Sequence, residues 1–325
     1  MKTQTSAKFR EPVSVSVQVV TVEPGRGGQR IDNFLSGRLK GVPRSLIYRI
    51  LRTGQVRVNG RRAKPETRLE DGDEVRIPPV RVAERESGAA PAGDQLARIE
   101  RAIVHEDRDF LVLDKPSGVA SHGGSGVNFG AIELLRAARP RDTLELVHRL
   151  DRDTSGVLVL ARRRPALTGL QAAIREGRAT KRYLALVRGH LARARLTVDA
   201  PLRKSILQGG ERMVRVDPEG KDSVSHFIEL ERHPGASFVE VAIDTGRTHQ
   251  IRVHGAHIGH PLAGDDKYGD KAFNKLMREA GLRRLFLHAA RFEFSLGERD
   301  YSFSAPLPAD LRGVLDALQK RKHHG

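Results

Sequence analysis

The chain of 325 residues contains no cysteine and no tryptophan, and only four tyrosines. Without cysteine there can be no disulfide framework, thiolate nucleophile, iron–sulfur cluster or cysteine-ligated zinc site. No stretch approaches the roughly 18–20 apolar residues that a spanning helix needs. Met1-Lys2-Thr3-Gln4-Thr5 lacks the apolar run of a secretory signal. With no signal and no cysteine, the cytoplasm is the expected location. Acid is also scarce: 40 Asp and Glu stand against 57 Lys and Arg, a formal net charge of +17. An excess of that size bears on partners rather than on fold. It points to a polyanion, and to nucleic acid before a membrane surface.

Residues 1–26 are polar, and Val13-Ser14-Val15-Ser16-Val17-Gln18-Val19 reads as a strand or a tethered arm. From Arg30 the pattern turns helical, with Ile31, Phe34, Leu35 and Leu39 on one face. After Gly41-Val42-Pro43 a second helix carries Ile47, Ile50 and Leu51 and stops at Gly54. Val56-Arg57-Val58 runs into Asn59-Gly60, the signal of a type I′ hairpin. Val75-Arg76-Ile77 closes this unit as a strand before Pro78-Pro79. Residues 27–80 therefore predict two short helices packed on a small hairpin. Ten basic residues fall between Arg30 and Lys64: 30, 38, 40, 44, 49, 52, 57, 61, 62 and 64. Only Asp32 opposes them. A solvated basic face is the plain alternative, but an imbalance across helix, turn and hairpin of one small unit suits a surface that tracks phosphates.

The segment resembles the small S-four (alpha-L) RNA-binding domain. The resemblance rests on Arg30-Ile31-Asp32-Asn33-Phe34-Leu35, Ser45-Leu46-Ile47, Gly54-Gln55-Val56-Arg57-Val58-Asn59-Gly60 and Asp71-Gly72-Asp73. Arg30, Arg44, Arg49, Arg52, Arg57, Arg61, Arg62 and Lys64 are its candidate RNA contacts. Residues 81–98, with Gly88-Ala89-Ala90-Pro91-Ala92-Gly93, read as a flexible linker. Residues 99–325 have the composition of a mixed globular domain. Phe110–Leu113, Val157–Ala161, Tyr183–Val187, Phe238–Ile243 and Phe292–Phe294 are strand candidates, and Ile132, Leu134, Leu135 and Ala138 mark a helix. Strands and helices do not alternate regularly, so an α+β sheet is expected rather than a doubly wound one.

Three segments carry chemistry-bearing residues. His148-Arg149-Leu150-Asp151-Arg152-Asp153-Thr154-Ser155-Gly156 is a dense polar loop entering a buried strand, where a rigid scaffold commonly presents functional groups. An ordinary charged turn is the bland alternative. Thr180-Lys181-Arg182-Tyr183 opens another strand, and Tyr183 alone would pass for a core-edge aromatic. Asp244-Thr245-Gly246-Arg247-Thr248-His249-Gln250-Ile251-Arg252-Val253-His254 alternates as a strand would, with Gln250 and Arg252 on one face and Ile251 and Val253 on the other.

Taken in order, His148-Arg149-Leu150-Asp151 with Thr154-Ser155-Gly156, Tyr183 in its Lys-x-Tyr-x-Ala-x-Val setting, and Gly246-Arg247-Thr248-His249-Gln250-Ile251-Arg252 resemble the RluA family of pseudouridine synthases. The likeness spans almost the whole chain and is nearest to the RluC type, which modifies large-subunit (23S) ribosomal RNA in bacteria. It implies a catalytic domain with a mixed, mainly antiparallel sheet over residues 99–325. It implies Asp151 as the catalytic carboxylate, which can stabilise an oxocarbenium-like centre, attack the anomeric carbon or abstract a ribose proton. Arg252 would pair with Asp151 and favour its ionised form. Tyr183 would lie against the uracil ring and assist removal of the C5 proton, with Ile251 in the apolar bed. Arg149 would fill the gap left by the flipped uridine. Asp153 is expected to be structural. The implied partner is ribosomal RNA or a ribosome assembly intermediate, with no small-molecule cofactor and no membrane. No sequence feature marks a dimer seam, so a monomer is expected.

Three other readings fit the residues less well. His249, His254, His257 and His260 cluster, but not at His-Glu-x-x-His spacing, and no cysteine can assist, so no metal is expected. Ser155 with His148 lacks the Gly-x-Ser-x-Gly elbow of a serine hydrolase. Gly123-Gly124-Ser125-Gly126 is neither that elbow nor a phosphate loop, and reads as a flexible loop over the site. A binding-only RNA protein would have no reason to hold Asp151, Tyr183 and Arg252 together.

Overall fold

In Glu74-Val75-Arg76-Ile77 the two apolar residues must face one way and the two charged ones the other, and the chain obeys. The computed structural model describes residues 16–25, 27–39, 42, 44–80, 91–123, 129–206 and 212–322. It divides into two units, Met1–Gly88 and Ala89–Gly325.

The first unit contains β1 (Gln18–Thr21), α1 (Ile31–Arg38), α2 (Arg44–Arg52), β2 (Arg57–Val58), β3 (Arg61–Arg62) and β4 (Glu74–Ile77). Its antiparallel sheet has the order β1-β4-β2-β3. Ile31, Phe34, Leu35, Ile47, Ile50, Leu51, Val75 and Ile77 form its buried core, the same apolar faces that the spacing predicts. Asn59 and Gly60 both have positive φ, 47° and 74°, as a type I′ turn requires. The expected N-terminal arm is part of the domain where it is described: β1 adds an edge strand beside β4.

The second unit opens with α3 (Gly93–Arg101). This corrects the linker expected over residues 81–98. Residues 81–90 lie outside the described part, and the remainder is largely helix. The small, polar composition concealed Leu96 and Ile99, which pack into the core beside Leu135. There follow β5 (Ile103–Glu106), β6 (Phe110–Lys115), α4 (Ala131–Ala138), β7 (Glu145–Leu146), β8 (Ser155–Ala161), α5 (Arg164–Arg175) and β9 (Ala179–Arg188). Next come β10 (Arg195–Asp199), β11 (Leu202–Ile206), β12 (Arg212–Val216), β13 (Val224–His233) and β14 (Ala236–Ile243). The chain closes with α6 (Gln250–His257), α7 (Lys271–Glu279), β15 (Leu287–Leu296), β16 (Arg299–Ser304) and α8 (Ala309–Lys322).

Ten strands form one sheet in the order β10-β13-β14-β9-β15-β8-β6-β5, with β16 on β15 and β7 on β8. Only β15 and β8 run parallel among the described pairs, so the sheet is mixed and mainly antiparallel, in an α+β fold as expected. Strand β8 is buried along its whole length because it is covered on both faces. Leu158 and Leu160 join the cluster containing Ile99 and Leu135, while Val157 and Val159 join Leu167 and Leu170 of α5. Such a strand reads as a continuous apolar run. The β11–β12 hairpin is a separate two-stranded sheet.

Gly156 stands where the parallel pair begins. Its φ is +107°, and a Cβ there would lie 2.2 Å from the carbonyl oxygen of Ala289. Backbone cannot yield as a flexible side chain does, so Gly156→Ala combines a forbidden conformation with a clash. It should destabilise the catalytic unit by about 2–4 kcal/mol, measured by urea unfolding. A loss below about 0.5 kcal/mol would show that β8 and β15 can part at this point.

Candidate active site

Residues 148–154 enter β8 as a loop without regular structure, so their position depends on the neighbouring loop that leaves β6. Ser121 Oγ donates to the Leu150 carbonyl at 2.8 Å and accepts from the Leu150 N–H at 2.9 Å. Gly118 N–H donates to the Arg152 carbonyl at 2.9 Å, and Ser117 Oγ to the Asp153 carbonyl at 2.8 Å. The Lys115 ammonium, completely buried, donates to the carbonyls of Val119 (2.7 Å), Pro116 (3.0 Å) and Arg152 (3.2 Å). Burial pulls its pKa down to about 7, against the attraction of Asp151 and Asp153. Asp151 is thus carried on a backbone held from both sides.

Facing it is the segment after β14. Sequence alternation predicts a strand through residues 250–253; the structure has helix α6 instead. Residues 250–255 are buried all round, so the helical period leaves no polar stripe to read. Gln250 fixes the turn that starts it. Its Oε1 accepts from Thr245 Oγ1 (2.7 Å) and Arg247 N–H (3.0 Å), and its Nε2 donates to the Val224 carbonyl (2.8 Å). His249, at the helix start, holds a left-handed φ of 55°, a strained state for a non-glycine residue.

Arg252 approaches Asp151 with Nη1 3.6 Å from Oδ2. The expected pairing is present but secondary. The fork of Nε and Nη2 engages both oxygens of Asp265, at 2.7 and 2.8 Å. The Asp265 side chain has no exposure and also accepts from the N–H groups of Lys267 and Tyr268. Burial opposes both charges, but the mutual hydrogen bonds prevail, raising the Arg252 pKa and lowering that of Asp265. The guanidinium also lies 5.2 Å from the Tyr268 ring centre. His249 Nε2 stands 3.8 Å from Asp151 Oδ2, and its Nδ1 is 2.8 Å from Tyr268 Oη, which accepts from Val214 N–H at 3.0 Å. Tyr268 Oη thus links the Val214 amide to the His249 ring. Burial lowers the His249 pKa, which favours the neutral imidazole.

Arg149, Asp151, Tyr183, Ile251 and Arg252 line one cavity of about 80 Å³. These five candidates come together from three distant segments. Tyr183 is buried on β9, and burial and then the Asp151 charge raise its phenol pKa, which keeps it neutral. Arg149 is exposed at the rim. Asp153 faces outward on Arg152, 3.2 Å away. His148 does not meet Ser155: burial pulls its pKa down to about 3, and Nε2 accepts from Val159 N–H. Ser155 Oγ instead contacts His288 Nδ1 at 2.9 Å. The clustered histidines diverge. His254 is buried against Ser225 and the Ala200 carbonyl, and His260 bonds the Arg188 carbonyl. Most of the Gly123–Gly126 loop lies outside the described residues.

The RNA-contact candidates belong to the first unit. Arg49, Arg52, Arg57, Arg61, Arg62 and Lys64 are exposed, and no ion pair engages them among the described residues. Arg30 differs: Nε and Nη2 fork onto Asp32 at 3.1 and 2.9 Å, so its charge is largely committed. The Arg44 side chain is outside the described part. Sequence reasoning missed Lys115, Asp265, Tyr268 and the orientation of His249. A buried Lys-Pro and Gly-Asp pair carry no local signal of long-range partners.

Residues 109–257 match the family described as RNA pseudouridylate synthase, and residues 29–75 match the S4 domain. A relative from Salmonella typhi called ribosomal large subunit pseudouridine synthase C is 54% identical over 312 residues, covering 94% of this chain and 98% of its own. Its namesake in Escherichia coli strain K12 is also 54% identical, over 95% of this chain and 98% of its own. Among solved structures, human RNA pseudouridylate synthase domain containing 1 aligns with a TM-score of 0.55 and 28% identity, covering 67% of this chain and 94% of that one. No helix among the described residues is long and apolar enough to cross a membrane.

Lys115→Met keeps most of the side chain's bulk but deprives the loop carbonyls of their donor, at a cost of about 1–3 kcal/mol for each acceptor left unpaired. Its thermal midpoint should fall. The pH dependence changes as well. In the folded protein Lys115 titrates near 7, against 10.5 when unperturbed. Between those values the unfolded chain binds the extra proton, so folding stability climbs with pH across this window. The variant should lose that part of the slope. A midpoint and slope equal to wild type between pH 7 and 10 would remove the brace.

Proposed function

The chain belongs to the RNA pseudouridylate synthase family, and from that membership we propose that it converts specific uridines of large-subunit (23S) ribosomal RNA to pseudouridine with Asp151 as the catalytic carboxylate. The observation that carries this reading is Asp151 held beside Arg252 and within the same cavity as Tyr183. The reaction breaks the bond between uracil N1 and C1′ of the ribose, turns the base and rejoins it through C5. No net redox change occurs and no activated donor is consumed, so the reaction calls for no small-molecule cofactor. We take the working form to be a monomer in the cytoplasm, acting on the RNA itself or on an assembly intermediate.

Asp151 presents a carboxylate to the sugar as C1′ gains positive character. Arg252 turns only one nitrogen toward it, at 3.6 Å, which leaves oxygen lone pairs open to the ribose. The neutral Tyr183 phenol suits a stacking surface for the uracil better than a phenolate base for its C5 proton, and Ile251 supplies apolar contact beside it. Arg149, exposed at the rim, is placed to enter the duplex gap when the uridine leaves, a displacement costing a few kcal/mol. The first unit adds sequence-tolerant attraction to phosphates through its free cations.

Asp151→Asn should bind RNA near normally and form no pseudouridine on unmodified large-subunit ribosomal RNA, mapped by chemical labelling and primer extension. Residual turnover near the wild-type rate would sink the assignment. Replacing Arg49, Arg52 and Arg61 together by Gln should weaken binding and flatten its salt dependence. Each lost phosphate contact lowers the log–log slope by about 0.7–0.9. An unchanged slope would mean that these side chains do not meet RNA.

A further inference from the structure

Lys181 sits in β9, between β14 and β15, two residues before Tyr183 and so on the same face. Its row continues through Tyr183, Ala185 and Val187, all buried. Lys181 itself is only 6% exposed. Among the described residues its ammonium has no hydrogen bond and no ion pair. Lys115 is the contrast, since that buried ammonium donates to three carbonyls. Burial lowers the Lys181 pKa; Asp244 attracts the charge and Arg247 repels it. Desolvating an ammonium without a partner is unfavourable, and an apolar side chain would continue this row at less cost. The fold gains nothing evident from a charge here.

The same ammonium borders a cavity of about 400 Å³, within the size range of ligand sites. Arg149, Arg175 and Arg247 line it with Lys181, which makes four cations. The one carboxylate on its wall, Asp244, is engaged by His226 at 3.1 Å. Arg149, Tyr183, Gly246 and Arg247 also line the pocket that holds Asp151. At Gly246 the loop passes over Lys181 without a side chain, and a Cβ there would lie 3.6 Å from Nζ.

We propose that Lys181, with Arg175 and Arg247, forms a binding site for a phosphodiester of a nucleotide next to the uridine being modified. The site rests on the catalytic reading of the adjoining pocket. Asp244 attracts the ammonium without an ion pair to it, and an entering phosphate supplies the direct, charge-assisted contact. Because Lys181 is recessed, it selects strand drawn off the duplex and into the cleft. The exposed cations of the first unit meet any phosphate within reach.

The test compares full-length Lys181→Met and Lys181→Gln with wild type on unmodified 23S ribosomal RNA transcript. Both variants should melt at or above the wild-type temperature, since a largely buried lysine whose ammonium has no direct partner is gone. The KM for pseudouridine formation should rise about tenfold, and its log–log salt slope should fall by about 0.7, one single-strand phosphate contact. A lower melting temperature, or an unchanged KM and slope, overturns the site. In a short RNA containing the mapped uridine, one neutral methylphosphonate linkage beside it should raise the wild-type KM and add nothing in Lys181→Met. Equal cost to both proteins at every linkage overturns the site too. Wild type that forms no pseudouridine removes the functional reading itself, whereas an active wild type matched by Lys181→Met removes only this site.

Discussion

Arg252 carries one positive charge between two carboxylates and divides it unequally. Two of its nitrogens close a fork on Asp265, and the third reaches toward Asp151 at 3.6 Å. The bidentate contact fixes the plane of the guanidinium, so the direction of its remaining edge is set by a residue that never faces the cavity. Neither buried charge is tolerable alone. Asp265 permits Arg252, and Arg252 permits Asp265. Their union pins helix α6 to the loop that follows it, and the loop bearing Asp151 must fit the edge left over. A carboxylate that were itself gripped by two donors would have less lone-pair density to offer a ribose.

Two buried lysines meet the same electrostatic problem in opposite ways. Lys115 ends β6 and spends all three hydrogens on carbonyls, one of them across in the Asp151 loop. Lys181 lies in the middle of the sheet, with a cavity where such partners would be. One charge is closed by the protein, and the other is open to something outside it. That difference separates a structural cation from a receptive one more clearly than their similar burial does.

The sequence carried the S4-like unit well, because Ile31, Phe34 and Leu35 repeat at helical spacing and Asn59-Gly60 leaves few alternatives to a tight hairpin. Asp151, Tyr183 and Arg252 were legible as ordered motifs, and the structure brings them to one cavity. What surrounds them was not. Residues 250–253 alternate polar and apolar, yet Gln250 and Arg252 are buried with Ile251 and Val253. A helix enclosed on every side loses the stripe that distinguishes helix from strand. Asp265 lies thirteen residues beyond Arg252, and Tyr268 gains its partners from β12 and α6 at once. Spacing rules describe neighbours along one element and are blind to a hydroxyl shared by two. The Gly- and Ala-rich stretch leading into α3 misled for another reason: its composition suits a linker, and only Leu96 and Ile99, within the helix, oppose that reading.

Tyr268 has a consequence for motion. A two-stranded hairpin is marginally stable by itself, and β11–β12 leans on little more than Leu202, Val214 and Val253 with Val216 and Tyr268 around them. The Tyr268 hydroxyl joins the Val214 amide of that hairpin to His249. Fraying of β12 therefore frees the hydroxyl that sets the His249 ring, and disorder at the ring loosens the hairpin in turn. Local opening of this hairpin and order beside Asp151 become two readings of a single equilibrium.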